Sequence, residues 1–100
     1  MNMQQMMMQA QKMQRELQKA QAELAAKEFT VTKAGLVTVT VMGSKEIKSI
    51  NVEEDGFDKD NKEMVEEMIV SAINEAFEKI DAESDAINER ITGRSGGFGF

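Results

Sequence analysis

Seven apolar residues near the start of the chain, Met3, Met6, Ala10, Met13, Leu17, Ala20 and Leu24, are spaced 3-4-3-4-3-4 without a break. A period of 3.5 residues keeps one stripe of a helix turned toward a partner. The spacing therefore predicts a single long helix over Met3–Leu24 with a coiled-coil-like seam. Neither Pro nor Gly interrupts the stretch, and Met, Gln, Ala, Leu, Lys and Glu are good helix formers.

After Lys27 the period changes to two. Phe29 and Val31 alternate with Thr30 and Thr32, and Val37, Val39 and Val41 alternate with Thr38 and Thr40. Each run predicts a strand. Ala34-Gly35 reads as the turn between them, and Gly43-Ser44 as a second turn into a third strand, Glu46–Val52. Ile50 and Val52 share a face of that strand. Ile47 falls on the other, which calls for a bulge or a second, partly covered face. Two tight turns joining three strands make an antiparallel meander. Its Phe/Val/Ile face is expected on helices, and its Thr-rich face in water.

The acidic segment EEDGFDKD at 53–60 fails as a calcium loop. Counted from Asp58, Lys62 and Glu63 stand where a ligand oxygen and a glycine are required. It reads instead as a solvated connection, with Asp60 and Glu63 spaced as a capping box for the next helix. That second helix is expected over 61–91. Met64, Val65, Met68, Ile69, Ala72, Ile73, Ala76 and Phe77 give its first half a broad apolar face suited to a sheet. Its second half narrows to Ile73, Phe77, Ile80, Ser84, Ile87 and Ile91, with Ser84 the one polar member. Gly93 is placed as a C-cap.

One α+β domain over 1–93, ordered α-β-β-β-α, follows, with a flexible Gly-rich tail over 94–100. The two helices span about 33–38 Å and about 45 Å, but strands of five to seven residues reach only about 17–24 Å. Both helices overhang the sheet and both overhangs carry apolar seams. A monomer would expose them, so a homodimer that covers them is expected.

The 100 residues include no Cys, His, Tyr or Trp. Thiol nucleophiles, imidazole bases and thiolate or imidazole metal sites are thereby excluded. The carboxylates of the second helix sit mainly on its polar side. No Gly-rich loop joins a strand to a helix, so a nucleotide site is unsupported. No enzyme activity, cofactor, metal or small-molecule substrate is expected. No apolar run approaches membrane-span length and no signal peptide opens the chain, so a cytosolic location is expected.

The net charge of −6 is unevenly placed. Residues 1–27 carry four cations against two carboxylates, and residues 28–100 carry eight against sixteen. Lys12, Arg15 and Lys19 lie at i, i+3 and i+7, on one side of the first helix beside its seam. Such a row can follow a phosphate backbone, with Gln11, Gln14 and Gln18 adding hydrogen bonds to phosphates or base edges. The plainer reading, which spacing alone favours, pairs Lys12 with Glu16 and Lys19 with Glu23 on a solvated face.

The whole layout resembles the YbaB/EbfC nucleoid-associated proteins of bacteria. MMMQAQKMQRELQKAQAELA at 6–25 is similar to that family's Met/Gln-rich first helix. GLVTVTVMGSKEIKSINVEED at 35–55 is similar to its hairpin and third strand, with Gly35, Val37, Val39, Gly43 and Ile50 in characteristic places. KEMVEEMIVSAINEAFEKIDAESDAINERITG at 62–93 is similar to its long second helix, including Ala72, Asn74, Ala76 and the closing Thr92-Gly93. The resemblance implies a tweezer-like homodimer with projecting helices that binds double-stranded DNA, organises the nucleoid and, in some members, regulates genes. It places Lys12, Arg15 and Lys19 first among DNA contacts, with Arg90 and Arg94 second. The family tail usually contains Pro and this one does not, so tail function is not carried over. The alternative function is a protein-interaction module gripping its partner with Met-rich helices, without DNA.

Overall fold

The computed structural model describes residues 2–93; Arg94 and the expected tail over 94–100 lie outside these residues. The elements are α1 (Met3–Ala25), β1 (Glu28–Lys33), β2 (Val37–Met42), β3 (Ile47–Val52), two short 3-10 turns (Glu54–Phe57 and Lys59–Asn61) and α2 (Lys62–Thr92). The molecule is elongated, 69 × 25 × 15 Å.

α1 starts at a capping box. The Asn2 side chain accepts from the Gln5 amide at 2.8 Å, and the Gln5 side chain accepts from the Asn2 amide at 3.4 Å. These contacts satisfy two donors that a helix N-terminus otherwise leaves open.

The three strands form an antiparallel meander in the order β1-β2-β3. Phe29 pairs with Val41 and Val31 with Val39 on the inner face. On the outer face Thr30 meets Thr40 and Thr32 meets Thr38, their hydroxyls 3.3 and 3.1 Å apart. The β1–β2 turn has positive φ at both central residues, Ala34 (52°) and Gly35 (68°), as in the turns whose twist matches a hairpin. Between β2 and β3 a bulge resolves the position of Ile47. Val41 pairs with Ile47 while Thr40 pairs with Ser49, leaving Lys48 as the extra residue. The bulge returns Ile47 to the inner face alongside Ile50 and Val52.

Val37, Val39 and Val41 are wholly buried at the centre of the core. Val65, Ala72, Ala76 and Ile80 of α2 and Leu24 of α1 close over them, with Met68, Ile69, Ile73, Phe77 and Ile87 packed alongside. α2 lies across β1 and β2 and leaves β3 largely uncovered.

The Asp60/Glu63 capping box expected for α2 does not form. Asp58 instead accepts from the Asp60 amide, capping the second 3-10 turn. Asn61 at the helix start makes no side-chain cap and donates its side-chain amide to the Asp55 carbonyl. The chain therefore tightens into 3-10 geometry before it enters α2. At the far end Gly93 is left-handed (φ 79°), its N–H on the Glu89 carbonyl at 2.7 Å.

Gly43 serves a different purpose from the one its turn position suggests. The left-handed residue of that turn is Lys45 (φ 72°). Gly43 instead lets the turn press on the C-terminus of α1: its N–H donates to the Lys27 carbonyl at 2.8 Å, and that of Ser44 to the Ala25 carbonyl at 3.2 Å. A Cβ at position 43 would stand 1.8 Å from the Leu24 carbonyl oxygen. The hairpin tip thus caps the helix from outside and fixes where α1 leaves the body.

Candidate nucleic-acid interface

α1 and α2 run antiparallel. Gln21 donates to Asn88 and accepts from the Ser84 hydroxyl, both at 3.4 Å, and Lys27 holds Glu83 through both carboxylate oxygens at 2.8 and 3.1 Å. Further along, Glu16, Lys19, Ala20 and Glu23 line a shallow groove with Arg90 and Ile91. Beyond that point α2 ends, and the outer turns of α1, from Lys12 to Met3, are exposed over roughly 14 Å.

Burial along the α1 seam follows from this. Ala20 and Leu24 are buried, Met13 and Leu17 half-buried, and Met6 and Ala10 exposed. In α2, Ile80 is buried and Ile73, Phe77 and Ile87 are half-buried against the core. Ser84, the polar interruption of the α2 stripe, faces Gln21 and is thereby satisfied.

Lys12, Arg15 and Lys19 are exposed on the outer flank of α1, as are Gln11, Gln14 and Gln18. At about 100° per residue, Lys12, Arg15 and Lys19 share one sector, with the glutamines in the next sector beyond Arg15. The pairs Lys12–Glu16 and Lys19–Glu23 do not close. Among the described residues, ion pairs tie Lys27 to Glu83, Lys33 to Glu75, Lys45 to Asp81, Lys48 to Glu28, Lys62 to Glu66 and Lys79 to Glu75. None of them includes Lys12, Arg15, Lys19, Lys59 or Arg90. Six of the seven lysines of the body are thus held by carboxylates, Lys59 being the exception, while among the described residues the projecting helix leaves its cations without direct partners. Arg90 joins Lys19 at the groove, where Glu16 and Glu23 offset both charges. Arg94 lies outside the described residues.

The row extends further than the three cations. Met8, Lys12, Arg15 and Lys19 are spaced 4-3-4, so the exposed Met8 continues the same stripe toward the tip. Following the cationic spacing one step toward the N-terminus would have found it.

A second exposed surface lies at β3. Ile47 and Ile50 point to the inner face yet are 43% and 45% exposed, because α2 does not reach over them. The third-strand pattern showed which side these residues face, but the cover depends on where α2 crosses the sheet. Among the described residues no cluster of three or more acidic ligands is placed to hold a metal ion, and no helix is long and apolar enough to cross a membrane.

Residues 1–95 match the model of the YbaB/EbfC DNA-binding family. The chain is 45% identical over 94 residues to a nucleoid-associated protein of Clostridium novyi, covering 93% of this chain and 82% of that one. It is 45% identical over 97 residues to a nucleoid-associated protein of Agathobacter rectalis, covering 96% and 86%. A Streptococcus suis nucleoid-associated protein is 48% identical over 82 residues, covering 81% and 83%. The crystal structure of HP0035, an uncharacterized protein from Helicobacter pylori, superposes with a TM-score of 0.76 at 16% identity, covering 91% of this chain and 97% of that one. At that identity the likeness concerns the fold.

Proposed function

Because the chain belongs to the YbaB/EbfC DNA-binding family, a non-enzymatic one, we propose that it is a nucleoid-associated homodimer gripping duplex DNA by its phosphate backbone through the outer flank of α1. The observation that carries this reading is the contrast in ion pairing. Lys12, Arg15 and Lys19 stand exposed and unpaired on a projecting helix, while six lysines of the body are neutralised by carboxylates.

Cations in such a row contact phosphates and fix register without reading sequence. Gln11, Gln14 and Gln18, one sector away, add hydrogen bonds to sugar, phosphate or base edges, and Arg90 extends the positive surface from α2. A role in nucleoid organisation and gene regulation fits binding of this kind, which engages many sites with little base readout.

The dimer is supported by the uncovered β3 face. Ile47 and Ile50, beside the half-buried Val52, form an apolar strip at a free sheet edge, which soluble chains rarely leave open. A second copy seated there would cover the strip and bring two α1 arms to one duplex, doubling the cations. Ile47→Asp with Ile50→Asp should yield a folded monomer by sedimentation velocity. A variant that sediments as wild type places the interface elsewhere.

The DNA reading is tested by fluorescence anisotropy on random-sequence duplex across a salt series. With up to six phosphates neutralised per dimer, log affinity should fall against log salt with a slope of roughly −5. Lys12→Ala, Arg15→Ala and Lys19→Ala together should reduce affinity at least a hundredfold at low salt with the fold intact. Binding as tight as wild type would remove the site from α1. No binding by the wild type would favour the Met-rich protein-interaction role.

A further inference from the structure

The first turns of α1 carry Met3, Met6 and Met7 at i, i+3 and i+4. That spacing puts three thioethers on one side of the helix with Cβ atoms about 5–6 Å apart. Long side chains on a helix lean toward its N-terminus, so Met6 and Met7 both reach back over Met3. All three are open to solvent, at 78%, 57% and 58%. They lie several turns beyond the end of α2, so among the described residues the body supplies no apolar neighbour for their sulfurs. The Asn2–Gln5 capping box holds this turn helical, and the sulfurs hang from a formed backbone.

The chemistry of the surroundings narrows what such a cluster can take. The chain contains neither Cys nor His, and residues 2–11 include no charged side chain. Hard cations such as calcium and magnesium take oxygen ligands, usually carboxylates, which this segment lacks. Thioethers are soft, neutral donors that select soft metal ions, Cu(I) foremost. Three of them suffice for a trigonal site, and Met is flexible enough to converge its sulfurs.

We propose that Met3, Met6 and Met7 form a three-thioether site for a soft monovalent cation of the Cu(I) class. The positive end of the helix dipole opposes any cation there, so binding rests on metal–sulfur bonding rather than charge. A thioether has no proton to lose, so the affinity should stay level between pH 5 and 8, unlike that of a carboxylate or imidazole site. The site lies outward of Lys12 and does not depend on the DNA reading.

The test uses the full chain with methyl-labelled methionine, titrated with silver nitrate as a redox-silent probe and then anaerobically with Cu(I). One equivalent should shift the Met3, Met6 and Met7 methyl signals, leave those of Met42, Met64 and Met68 in place, and saturate. Met3→Leu, Met6→Leu and Met7→Leu together should weaken binding at least tenfold with unchanged helical circular dichroism, since Leu matches Met as a helix former. Met64→Leu with Met68→Leu should bind as wild type. Signals of the first three unmoved at one equivalent, shifts spread evenly over all methionines, or wild-type affinity in the triple variant would each overturn the proposal.

Discussion

The two ends of α1 hold their helical form by different means. At the C-terminal end Leu24 is buried, the β2–β3 turn donates one amide to the last helical carbonyl, of Ala25, and one to that of Lys27 just beyond, and Lys27 grips Glu83. At the N-terminal end Met3, Met6, Met7 and Met8 stand in water, and among the described residues the helix has only its capping box. A short isolated helix is marginal because nucleation is costly. The arm avoids that cost by continuing a helix already nucleated and packed at the body. It therefore needs no core of its own, and its side chains are free to meet a ligand.

The contrast can be broken most severely at Gly43. Gly43→Ala would drive a methyl into the Leu24 carbonyl and should cost about 3 kcal/mol or more, a magnitude reserved for steric conflicts and core defects. Urea unfolding measures it, and an unchanged midpoint would show that the turn does not hold α1. Next is a matched pair. Val39→Ala, at a fully buried position, should lose about 2–3 kcal/mol through lost transfer energy and a cavity. Met6→Ala on the arm should change stability by less than about 0.5 kcal/mol. Equal losses would mean that the arm is packed in solution.

Ala10→Gly sharpens the comparison within the arm. It should weaken the helix locally by about 1 kcal/mol, seen as faster amide exchange over residues 3–12 with the thermal midpoint of the body unmoved. The smallest effect belongs to Glu75. A hydrogen bond from Lys33, aided by the charges of Lys33 and Lys79, holds its carboxyl below the ordinary value of 4.5. A carboxylate depressed in the folded state stabilises above its unfolded pKa, and that contribution fades as pH falls through the lower folded value. Glu75→Gln should therefore be slightly less stable than wild type at pH 7, with the two curves converging as pH falls below 4.5 and through the lower folded value. Parallel curves would mean that the pair contributes nothing, as many exposed pairs do.

Where local pattern decides structure, the sequence was readable. The 3.5 period placed α1 to within a residue or so, the alternating Val and Thr placed β2, and Gly93 marked the end of α2. What escaped depends on contacts between distant segments. Gly43 reads as a turn glycine, but the oxygen that forbids a side chain there belongs to Leu24, nineteen positions earlier. The Asp60/Glu63 spacing is a capping box only if the backbone enters α2 directly, and the 3-10 turns preclude that. The candidate site was half visible: the cations could be aligned from spacing, but whether Lys12 and Lys19 pair with Glu16 and Glu23 is a matter of rotamers. The exposure of Ile47 and Ile50 follows from the path of α2 over the sheet, which no third-strand pattern encodes.

α1 runs without a break from its docked end to its tip, and that continuity makes the arm behave as an indexed shaft. One residue inserted between Lys19 and Leu24 would advance the tip by only about 1.5 Å but swing Lys12, Arg15 and Lys19 about 100° around the axis, away from any duplex they now address. Seven inserted residues would carry the row about 10 Å farther out and bring it nearly back into phase. Reach and aim are thus set separately, the first by how many residues the helix contains and the second by the remainder after whole turns.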